Sequence, residues 1–344
     1  MQKEQKLKEL FLLTAFCCCF VVLAHTSSEG VTSLRIGSWQ QAVFFVFNKA
    51  ATFVVPGFIF LSGLKLTYSY REKEFHFVEF IQKRLSKILI PYFCWYVAYY
   101  ILFRLIGLTE PKSISQHIFS IIMGDLVAPF YFITTIFQFY ILFGVFLYLL
   151  KNVNTILLFC ICFAVQLYYL EYIYPMYEDR FFMTYLIYFL LGGMMALHLQ
   201  QFQRAIRKYG WVWYICFIFL TYWHTTHAYA SNVQGVFYAH WRIFTCLFSL
   251  SGIIALYHIS DYITQRVPEK WIAFFKAADA SSYYIFLTHC FLLYIFNGFW
   301  GKVGLESIFP KFILNSVLIL FFTFFFSFIY ITWKKKWYSI KKKV

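Results

Sequence analysis

The sequence predicts an all-α, polytopic integral membrane protein with about ten transmembrane helices, and three observations carry that expectation. Of 344 residues, 61% are hydrophobic and only 13% are charged, against about 25% charged in soluble domains. Mean hydropathy is +0.65, more apolar surface than a water-soluble globule could hide. The apolar residues also gather into runs close to the ~20 residues that a helix needs to cross a bilayer.

In chain order the runs are 10–26, 41–64, 88–108, 130–150, 155–174, 181–199, 211–228, 241–259, 283–300 and 312–333. The first follows Lys3, Lys6 and Lys8 and resembles a secretory leader. No small-x-small cleavage site follows it cleanly, so it reads as a retained span. The third is entered through Lys83, Arg84 and Lys87, while the seventh and ninth are interrupted by polar residues. The tail "WKKKWYSIKKKV" reads as a stop-transfer anchor contacting anionic lipid. Connections are short and no Gly/Ser or Pro-rich linker divides the chain, so residues 1–344 are expected to form a single membrane domain.

Charge placement sets the expected orientation. With the N-terminus inside, 22 Lys and Arg fall in inner segments and five in outer ones. That bias predicts both termini in the cytoplasm and an even number of spans in the cell membrane. The net charge of +15 therefore does not imply nucleic acid, which would require a solvated basic groove. All nine cysteines lie inside apolar runs, where they read as small core residues and not as a disulfide framework.

Several ionisable residues interrupt this apolar background. The first run ends abruptly at His25 in "CFVVLAHTSSEG". On position alone His25 is either an interfacial residue that finishes a helix or a reactive group, since histidine titrates near neutrality. Glu29 stands one helical turn further on, where its carboxylate would orient the imidazole if the helix continues. Lys49 lies within the second run beside Asn48, Arg104 and Glu171 approach the outer rim, and His224, His227 and His240 flank the loop after the seventh run. Intramembrane charges usually face an internal cavity, so an outward-opening polar chamber would explain several of them together. His224 and His227 are spaced for a metal, but no acidic partner has convincing spacing, and no metal is assigned. Lys83, Arg84 and Lys87 are explained by the positive-inside bias, or alternatively form a phosphate site for a cytoplasmic anionic cosubstrate.

Taken in order, "VVLAH", "VPGFIFLSG" (55–63), "KRLSKILIPY" (83–92), "YFITTIFQFYILF" (131–143) and "SYYIFLTH" (282–289) resemble the motifs of acyltransferase family 3. Within that family the chain is most similar to the branch near the intercellular-adhesin polysaccharide modifying proteins. The resemblance implies transfer of an acetyl or succinyl group from a cytoplasmic acyl-CoA to a hydroxyl of an extracytoplasmic or lipid-linked glycan. It makes His25 the general base and acyl-CoA the cosubstrate, with no bound cofactor. Lys83, Arg84 and Lys87 would meet the CoA phosphates, Lys49 would stabilise the oxyanion, and His289 would be a donor-site residue or a packing histidine in the inner half of its span. The family usually carries an arginine eleven residues before the histidine, where this chain has Thr14. Eleven residues span about 16 Å and return to nearly the same helix face, so that position lies below His25. The competing reading is an exporter of polysaccharide or lipid-linked glycan that binds without forming a bond.

Overall fold

The computed structural model describes residues 7–173, 176–236, 238 and 241–341. Lys3, Lys6 and His240 lie outside the described residues, as do the side chains of the basic tail. Among the described residues fourteen α-helices follow one another, with short 3₁₀ or π turns in some of the connections. They are α1 (Lys8–Thr26), α2 (Ser28–Ser33), α3 (Trp39–Ala50), α4 (Val54–Tyr70), α5 (Phe77–Arg84), α6 (Ile90–Leu105) and α7 (Ile114–Met123). Then come α8 (Tyr131–Asn152), α9 (Thr155–Tyr168), α10 (Leu186–Leu197), α11 (Leu199–Gln234), α12 (Trp241–Thr264), α13 (Glu269–Lys302) and α14 (Ile308–Lys341).

Among the described residues every predicted apolar run is mostly helical, although a turn at 51–53 divides the run 41–64 between α3 and α4. Among the described residues, eight helical stretches are long and apolar enough to cross a membrane, or nine if the pair Phe182–Leu197 and Leu199–Gln234 counts as one bent span. The predicted sixth and seventh runs are the two halves of that pair. His198, which takes the C-cap position of α10, marks the break between them.

The chain forms two compact units, one of residues Met1–Val54 with Ala205–Val344 and the other of Val55–Arg204. In the second unit, α4 and α10 touch backbone to backbone. A Cβ at Gly63 would fall on the Phe189 carbonyl oxygen, and one at Gly192 on that of Phe60. Small residues permit this approach, which is how helices associate where lipid removes the hydrophobic drive. Between α5 and α6 the chain widens into a π turn, Leu85–Leu89. Pro91 lies just beyond it, at the start of α6. Its ring cannot tolerate the carbonyl four residues back in a regular helix, and the wider turn relieves that conflict.

In the first unit α1 packs on α13, α12 and α14. Phe53 joins Phe20, Phe217 and Phe248 at centroid distances of 5.2–6.0 Å in an aromatic core. Several polar side chains inside this bundle are matched. Tyr257 donates to Glu9 at 2.8 Å, and Arg207 grips the buried Asp261 through two bonds of 2.7 and 2.8 Å.

Candidate active site

Helices α1 and α13 run parallel, rung by rung. Lys8 pairs with Glu269, the Thr14 hydroxyl lies 2.6 Å from Asp279 Oδ1, and the His25 and His289 rings stand 5.0 Å apart between centroids. The two histidines are therefore at one level, which corrects the expectation that His289 lies deeper. The cause is the start of α13, expected at 283 but found at Glu269, roughly four turns earlier. Lys276 and Asp279 interrupt the apolar run, yet the Thr14 hydroxyl satisfies Asp279 and lets the helix continue through it.

His289 is 1% exposed. Its Nδ1 donates to the Ile285 carbonyl one turn back at 3.1 Å, which leaves Nε2 as the ring's lone-pair nitrogen. That Nε2 is buried without a hydrogen-bond partner. Leaving such an acceptor unpaired costs about 1–3 kcal/mol, and uncompensated buried polar atoms call for a functional explanation. Cys290, 3% exposed, is the next residue. The ligating atoms of His25, His289 and Cys290 all lie within 4.8 Å of one another, the only such group of metal-ligating side chains among the described residues.

His25 occupies the last turn of α1 and is half-buried. The backbone just before it is unusually well held. The Ala24 carbonyl accepts from Ser27 Oγ at 3.0 Å, Ser28 Oγ at 3.0 Å and Asn48 Nδ2 at 2.7 Å. Asn48 also reaches the Ser27 and Ser28 hydroxyls at 3.3 Å. Thr26 adds a bond to Ser316 of α14 at 2.8 Å. Asn48 escapes sequence reasoning, although an amide inside an apolar run beside a lysine is the kind of signal that would flag it.

The other expected site residues are placed differently. Glu29 sits on α2 and pairs with Lys311 of α14, a full charge, instead of orienting His25. Lys49 follows Asn48 on α3; successive residues on a helix point about 100° apart, so Lys49 turns from α1 to sit over the Phe45 ring at 5.5 Å. His224 is stacked between Trp241 and Phe248 and His227 against Trp223, so these two read as packing residues. Arg104 binds the Thr109 carbonyl, and Glu171 lies in the π turn Tyr169–Ile173. In the second unit Lys83 pairs with Glu79, Arg84 lies over the Phe80 and Tyr140 rings at 5.0 and 5.4 Å, and Lys87 is exposed on the π turn.

Against known families, residues 8–332 match the model described as "Acyltransferase domain" of acyltransferase family 3. The chain belongs to acyltransferase family 3. A Bacillus subtilis (strain 168) protein named "Putative membrane-bound acyltransferase YfiQ" is 26% identical over 308 residues, 84% of this chain and 82% of the relative. No solved structure matches significantly. This member of acyltransferase family 3 is thus a multi-pass membrane acyltransferase. In place of the arginine that the family resemblance leads one to expect, its Thr14 shares one hydroxyl proton between Asp279 and the Leu10 carbonyl, 2.8 Å away. At that level α1 contributes a hydroxyl, not a cation.

Proposed function

We propose that the acyltransferase moves an acetyl or succinyl group from a cytoplasmic acyl-CoA to a hydroxyl of an extracytoplasmic or lipid-linked glycan, with His25 as general base. The observation that supports this reading best is the unpartnered Nε2 of buried His289 beside the His25 ring. As the acceptor oxygen attacks the thioester carbonyl, its proton passes to a neutral His25 nitrogen. The resulting imidazolium then has a ready acceptor, the Nε2 lone pair of His289, which shares the charge and holds the ring in orientation. Collapse of the tetrahedral intermediate breaks the C–S bond, and the proton leaves on the CoA thiol. Lys83, Arg84 and Lys87 receive the CoA phosphates, Lys83 only by releasing Glu79.

The test is transfer of label from acetyl- or succinyl-CoA to glycan in membranes carrying the protein. Wild type labels glycan, while His25→Ala loses about 10²–10⁴-fold, the usual contribution of a general base. His289→Gln keeps a side chain of similar reach but cannot share the proton, so it lowers kcat with little change in KM. Label transferred equally by wild type and His25→Ala would overturn the proposal, and export of unlabelled glycan alone would favour a carrier.

A further inference from the structure

The same cluster has a chemistry that base catalysis does not use. His289 Nε2 is a lone pair held in place by the Nδ1 bond to Ile285, buried and without a partner. Cys290 is a buried, free thiol beside it, and the His25 ring completes a group whose donor atoms lie within 4.8 Å of one another. Two imidazoles and one thiol are a donor set for zinc-class ions, whereas magnesium and calcium prefer oxygen ligands. Three protein ligands also leave one coordination position open. The hydrogen bond from the other ring nitrogen to a backbone carbonyl is the support that metal-binding histidines usually have. Of the three, His25 is half-buried while His289 and Cys290 are buried.

We infer that His25, His289 and Cys290 form a site for a borderline-soft divalent transition metal such as Zn²⁺, and that its occupancy silences the acyltransferase. On binding, the ion forms bonds to the two imidazole nitrogens and to sulfur, and the Cys290 thiol gives up its proton to solvent. The metal then holds the lone pairs that would take and share the acceptor's proton. Only this inhibitory consequence rests on the proposed role of His25; binding itself does not.

The experiment uses the full-length, untagged protein in detergent, stripped with a chelator and titrated with Co²⁺, whose absorption reports its ligands. The expected result is one tightly held ion per chain, a thiolate-to-cobalt charge-transfer band and one proton released per ion. Cys290→Ser abolishes the charge-transfer band, and His289→Gln and His25→Ala lose stoichiometric binding. His224→Gln, which changes a buried histidine of the same unit outside the cluster, retains it. No stoichiometric binding by wild type, a band undiminished in Cys290→Ser, or equal loss in His224→Gln overturns the site. In parallel, Zn²⁺ should block label transfer by wild type, reversibly on chelation. If one ion binds through these residues yet transfer continues, the silencing and the base role of His25 fail while the site stands. If no ion binds while His25→Ala abolishes transfer, the site fails and the base role stands.

Discussion

Asn48 donates to the Ala24 carbonyl at 2.7 Å, and two serine hydroxyls converge on the same oxygen. The peptide leading into His25 is thereby fixed by neutral hydrogen bonds, which work at the end of a membrane span without the desolvation cost of a charge. Asn48→Ala should remove about 1 kcal/mol of such bonding. It should lower kcat several-fold at nearly constant KM, because imidazole aim changes but substrate contacts do not; steady-state kinetics on reconstituted protein would check the split. At this scale the sequence was legible only in part. His25 stood out because an apolar run stopped at it, and His289 because it closed a motif. Their adjacency was not legible, since it depends on the register of two helices far apart in sequence. One-turn spacing pointed Glu29 toward His25, whereas in the folded chain it pairs with Lys311 of α14.

Among the elements, the contact of α4 with α10 depends on glycines at both surfaces. A Cβ at Gly63 meets the Phe189 carbonyl and one at Gly192 meets that of Phe60, and backbone has little room to give. Gly63→Val should force the pair apart, lowering the yield of folded protein and its melting temperature in detergent. Gly298→Ala on α13, where nothing lies within 4 Å of the added carbon, should be neutral in the same thermal assay. The apolar runs found the helices because burial in lipid demands length and apolarity, both written locally. Helix ends were less visible. The ninth run was expected from 283, beyond Asp279, whose partner Thr14 lies on α1, and no run showed that the sixth and seventh are two halves of a pair bent at His198. In each case the missing information is a partner or a bend, not a composition.

For the molecule as a whole, insertion through apolar helices and attachment through cations make opposite forecasts. A basic chain of net charge +15 merely adsorbed on anionic lipid would dissociate as salt screens the attraction. With at least eight membrane-capable helices, the acyltransferase should remain in the pellet through high-salt and alkaline carbonate washes and be released only by detergent, as fractionation and immunoblotting would show. The parallel pairing of α1 and α13 carries a consequence of its own. Thr14 and Asp279, 265 residues apart, belong to the same rung, so α1 leaves the ribosome long before its histidine has a neighbour. With the role proposed for His25, a nascent chain halted between α1 and α13 would be threaded into the membrane yet chemically silent, and function would wait for α13 to be made.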